Sequence, residues 1–143
     1  MQSAALDQIH RLLGIARAAE EANLKNFAEQ IEVSRSRAAR MMEDARRMPT
    51  PGPGQPSGAT DLAVAARWRM RLLDQAREEI RQAHRLEAEA VAARLRLTMA
   101  FGREQAAATL VERAAIEERR LAERRAVAAS LACRGWQVQP DSS

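Results

Sequence analysis

Two histidines, His10 and His84, and a single cysteine, Cys133, are the side chains of this 143-residue chain best suited to holding a metal or serving as a nucleophile. Either task needs such groups gathered within bonding reach of one another and of a base or a carboxylate. Here they lie far apart, and no HExxH, CxxC or GxSxG spacing links any of them to a partner. The acidic pairs Glu20-Glu21, Glu78-Glu79 and Glu117-Glu118 are adjacent residues, which a helix points about 100° apart. An acid/base couple also needs a concave, water-excluding setting, and neighbours on an open helix face lack one. The glycines of PGPGQPSG (51–58) are not followed by the Lys-Ser/Thr pair of a phosphate-binding loop. The expectation is a chain with no catalytic residue, no metal site and no cofactor: not an enzyme.

The same glycines and prolines instead organise the chain. Residues 46–61, RRMPTPGPGQPSGATD, hold four of its five prolines and three of its six glycines, and the flanks are rich in Ala, Arg, Glu and Leu. Hydrophobic residues make up 46%, but aromatics only 3%, with no Tyr. Alanine buries little area, so a thin seam between helices fits better than a thick core. A charged fraction of 29% in such a background is the composition of long helices or a coiled coil.

Before the breakers, Leu6, Ile9, Leu13, Ala16, Glu20, Leu24, Phe27, Ile31, Ser34, Ala38, Met41, Ala45 and Met48 recur at steps of three and four. That spacing predicts a helix over 4–48 with one apolar stripe, a stutter near Glu20, Ser3 as cap and Asp7 at its positive end. After the breakers, Leu73, Ala76, Ile80, Ala83, Glu87, Ala90, Arg94, Leu97 and Phe101 repeat the pattern, followed more loosely by Leu110, Ala114, Leu121, Ala128 and Leu131. The second helix is predicted over 60–132, capped by Thr60 with Asp61 in its first turn, and stopped at Arg134-Gly135. A Pro/Gly turn over 49–59 and a flexible tail over 134–143 complete an all-α fold: two long helices forming one antiparallel coiled-coil hairpin. Folding back at Gly54 pairs Leu13 with Leu97 and Phe27 with Ala83, and brings Met41 to Trp68 and Arg69. The first helix then runs out near Glu104, leaving the end of the second without an intrachain partner.

Charge narrows the partner classes. The net charge is +4 with a single lysine, Lys25, so the surplus is carried by arginine. Arg35, Arg37, Arg40, Arg46 and Arg47 precede the turn and Arg67, Arg69 and Arg71 follow it, giving a positive tip that is either a solvated face or a docking surface. Trp68, among these arginines, either fills the seam near Met41 or meets a partner. One cysteine fits a reducing compartment. The opening MQSAALDQIH has no secretory pattern, and no apolar run reaches membrane-spanning length. Nucleic-acid binding by the basic tip and a homo-oligomeric scaffold paired through the overhang both remain open.

ARWRMRLLDQAREEIRQAHR (66–85) and LVERAAIEERRLAERRA (110–126), in this architecture, resemble FliJ, a coiled-coil family of the bacterial flagellar type III export apparatus, and its injectisome SctO/YscO-like counterparts. The resemblance implies a non-catalytic stalk, like the central shaft of a rotary ATPase, that links the hexameric FliI-like export ATPase to the FlhA-like export gate and binds export chaperones. It implies a cytoplasmic location at the inner-membrane export apparatus, reached through partners alone, and no role for nucleic acid. Carried onto this chain, the ATPase-facing part is 6–16 with 110–131, including Leu110, Arg119, Leu121 and Arg124. The gate-facing part includes Leu73, Arg77, Ile80 and His84; Arg67, Trp68, Arg69 and Arg71 stay the docking candidates of the basic tip. His84 aligns only when one residue is skipped after Trp68, and Arg124 or Arg125 stands where the family carries a late aromatic.

Overall fold

The computed structural model describes residues 2–49 and 58–137, with side chains at 4–49, at Gly58 and at 60–135. Two helices make up this all-α hairpin: α1, Gln2–Arg47, and α2, Ala59–Gln137. Residues 50–57 of the expected turn and 138–143 of the expected tail lie outside the described residues. Both helices start earlier than the spacing indicated. Ser3 falls inside the first turn of α1, and Asp7 lies beyond that turn. The carbonyl of Gly58 accepts bonds from the amides of Asp61 (3.0 Å) and Leu62 (3.4 Å), so Gly58 rather than Thr60 is the cap of α2. At the other end α2 continues through Gly135, because a lone glycine costs a helix only about 1 kcal/mol against alanine and does not by itself stop it.

The contacts divide the chain into two units, Met1–Ala18 with Met99–Ser143, and Ala19–Thr98. In the second unit α1 turns Glu20, Leu24, Phe27, Ile31, Ser34, Ala38, Met41 and Ala45 into the seam, with Met42 half-buried beside them and Met48, just past its end, half-buried as well. They face Ala76, Glu79, Ala83, Leu86, Ala90, Ala93 and Leu97 of α2. Large residues on one helix thus meet mostly alanine on the other, as expected, but the stripe on α2 is turned by one position. The expected Ile80, Glu87 and Arg94 flank the seam or face solvent, and Glu79, Leu86 and Ala93 occupy it. Apolar content misleads here: the seam selects small side chains that let the helices approach, and the bulkier Leu73 and Ile80 stay half-buried at its edge.

In the first unit the seam takes Leu6, His10, Leu13 and Arg17 of α1 with Ala100, Glu104, Ala107, Val111 and Ala114 of α2. Ile9 and Ala16, expected inside, are exposed, and so is Phe101 at 52%. With His10 and Arg17 in the seam, the steps alternate four and three without a break, so there is no stutter. Arg17 is tolerated because its Nε lies 2.5 Å from Glu104 Oε2. Gly14 makes room for this pair, since a Cβ there would come within 3.2 Å of Glu104 Oε1. Because this ion pair is only partly shielded from water, Glu104→Ala is expected to cost about 1 kcal/mol. The double variant Arg17→Leu with Glu104→Leu is expected to be at least as stable as the natural chain. Urea denaturation followed by circular dichroism measures both.

The pairing register also departs from a fold centred on Gly54. In the second unit Arg35 pairs with Glu87, Arg37 with Glu79 (3.9 Å) and Arg96 with Glu20 (3.4 Å). Each α1 residue therefore meets α2 about two turns later than expected, Phe27 lying past Ala83. The end of α1 meets Arg69, whose Nε donates to the Ala45 carbonyl (3.2 Å) and whose second nitrogen donates to that of Met48 (3.0 Å). Those carbonyls lack partners inside α1, and a guanidinium suits the negative end of a helix. The seam and this cap set the register. A linker spanning 48–58 reaches about 35 Å when extended and does not oppose it.

Candidate partner-binding surfaces

The first turns of α2 carry an exposed face built from side chains spaced three and four apart. Val64, Trp68 and Arg71 lie along it, with Arg67 and Met70 beside them, all exposed. Trp68 is 51% exposed, and the Arg71 guanidinium lies 5.7 Å from its ring centroid, within cation–π range. The seam role near Met41 is thus ruled out for Trp68. Arg69, on the opposite side of the helix, is occupied in capping α1 and is not free to bind. Of the three arginines and the tryptophan expected here, Arg67, Trp68 and Arg71 share the open face and Arg69 holds the fold together.

Further along α2, Leu73, Arg77, Ile80 and His84 follow at steps of four, three and four, so one helix face brings them together. Arg77 and His84 are exposed, and Leu73 and Ile80 are half-buried at the seam edge. Arg77 pairs with Asp74 (3.1 Å), and His84 Nδ1 lies 3.3 Å from Glu87 Oε2. The His84 bond, followed by the Arg35 guanidinium, holds the Glu87 carboxyl below its ordinary value of 4.5. Arg85, at 2.8 Å, and then Arg81 do the same for Glu78. A carboxylate with a depressed folded-state value stabilises the fold at pH above the ordinary value. That contribution is lost as pH falls through the depressed one. Carboxyl NMR titration is therefore expected to place the Glu87 midpoint below 4.5, and His84→Ala is expected to raise it. An unchanged midpoint in the variant would remove the histidine from this cause.

The last surface belongs to the first unit. Ala114 and Ala115 are the last half-buried residues of α2, and every described side chain from Ile116 to Gly135 is exposed. The uncovered stretch starts about three turns later than expected, because of the displaced register together with the earlier start of α1. Leu121 (45%) stands open on it, and Leu110 (50%) stands open on α2 before it. Arg119 Nε donates to the Ala115 carbonyl (3.3 Å), and Arg120 pairs with Glu117 (3.2 Å). Arg124 is exposed and makes no ion pair among the described residues.

His10 and Cys133 both fall in the first unit, His10 half-buried in the seam and Cys133 exposed beyond it. Among the described residues no cluster of three or more His, Cys, Asp or Glu side chains is arranged to hold a metal. No described helix is long and apolar enough to cross a membrane. Sequence reading missed the Arg17–Glu104 layer and the outward Ile9 and Leu12. An unbroken alternation of threes and fours through His10 and Arg17 was the signal for both. No protein-family model, curated protein or solved structure matches the chain.

Proposed function

We propose that the protein is a non-catalytic stalk of a bacterial type III export apparatus of the flagellar kind, coupling a hexameric export ATPase to the export gate and binding export chaperones. The observation that carries this reading is the helical extension of α2 beyond α1. It holds exposed leucines and alternating charges that no described residue of α1 covers, a surface suited to a surrounding protein collar. The open Val64–Trp68–Arg71 face and the Leu73–His84 row supply a second, separate docking region for the gate. The resemblance of 66–85 and 110–126 to FliJ supports the same assignment. On this reading the protein works in the cytoplasm at the inner-membrane export machinery, touching the membrane through partners only.

Addition of the full chain to a purified FliI-like ATPase is expected to raise hexamer content and ATP turnover severalfold. Leu121→Asp is expected to abolish the gain with the helical content unchanged. No stimulation at saturating concentration would sink the proposal.

A further inference from the structure

Starting alongside the first turns of α1 and running on past them, α2 carries a second row of side chains at alternating steps of four and three: Leu110, Ala114, Glu117, Leu121, Arg124, Ala128 and Leu131. Such alternation defines one continuous face, long enough for three heptads or about 30 Å of helix. It departs from the face that meets α1, which uses Ala107 and Val111; the two share only Ala114, half-buried where the seam ends. Its three leucines are 50%, 45% and 62% exposed in chain order, and Glu117 and Arg124 are exposed as well. Turned end for end about Leu121, the row reads Leu, Ala, Arg, Leu, Glu, Ala, Leu. An antiparallel copy of the row therefore sets leucine on leucine and alanine on alanine at every apolar layer. It also sets Glu117 against Arg124, twice, by symmetry.

We infer that this row is a homodimer interface whose occupant is a second copy of the same segment, antiparallel and centred on Leu121. Self-complementarity is what a two-fold interface requires, since each residue must suit its counterpart on an identical surface. The charges specify the direction: a parallel pairing in register would put Glu117 on Glu117 and Arg124 on Arg124, a like-charge clash. The intrachain Glu117–Arg120 pair is no obstacle, being solvent-exposed and weak. At each end, Leu131 of one copy covers Leu110 of the other. In the register of this unit Ile9 lies opposite Leu110, and its exposed side chain and that of Leu12 widen the apolar surface there. Dimerisation through this row hides Leu110, Leu121 and Arg124, so it competes with any other partner for the extension.

Sedimentation of the full chain, with Cys133→Ser to exclude disulfides, tests the inference up to concentrations on the order of 100 µM. A reversible monomer–dimer equilibrium is expected. Glu117→Arg alone and Arg124→Glu alone should each weaken it by at least about tenfold, by creating like-charge contacts. The double exchange should restore the original affinity. A monomer throughout, a dimer indifferent to the single reversals, or a double exchange without recovery would each overturn the interface. No ATPase is present in this experiment, so its failure leaves the stalk proposal untouched.

Discussion

Replacing Ala93 by Asp is expected to open the helix pairing, at a cost of about 3 kcal/mol or more. Ala93 is 0% exposed, lodged in the seam of the second unit where α2 presents alanine to the leucine, phenylalanine and isoleucine of α1. A carboxylate there loses its water and meets no cation, and its bulk drives the helices apart. Ala92→Asp, one residue away on the open side, should cost only the difference in helix propensity, about 0.6 kcal/mol. Urea titration of the two variants side by side separates seam burial from propensity. Equal losses would mean that Ala93 is not in a seam at all.

The second large effect concerns Leu86, the one large apolar residue of α2 among the buried core positions, the others being alanine. Leu86→Ala removes most of the apolar volume that α2 contributes at its layer, and the remaining alanines cannot move to fill the space. The expected loss is about 2–3 kcal/mol. Leu95→Ala, at an exposed position a little over two turns on, should be nearly neutral or slightly stabilising, because alanine is the better helix former. A thermal melt of each variant gives the comparison. If Leu95 were the costlier residue, the assigned face of α2 would be wrong.

The helices themselves were legible in the sequence because proline and glycine act locally. Their concentration over 46–61 separates two breaker-poor stretches whatever the tertiary contacts are. The exact seam was harder to read, since it depends on how closely two backbones approach. Ile80 looks like a better core residue than Glu79 by hydrophobicity, but an alanine-lined groove accepts whichever residue stands at the right angle. Arg17 shows the same limit. A charged residue in a seam is explained only by its partner, Glu104, far away in sequence. Register was misplaced for a related reason: folding at the middle of the breaker segment ignores the bonds from Arg69 to the end of α1. Of the surfaces, the basic face around Trp68 was visible as composition, whereas the split between Arg69, turned inward, and Arg67 and Arg71, turned outward, required coordinates. The palindromic row on the extension was present in the sequence throughout, but it stands out only once the end of α1 is known.

Antiparallel pairing in the observed register underlies the seam, the cap and the uncovered extension alike. Spin labels at 32 and 91, exposed positions lining the same groove between the helices, measure it directly in a Cys133→Ser chain. A short, narrow distance is expected for 32/91. Labels at 32 and 77 should lie clearly farther apart, position 77 being displaced by about 20 Å along α2. A shorter distance for 32/77, or long and broad distances for both pairs, would contradict the hairpin as described.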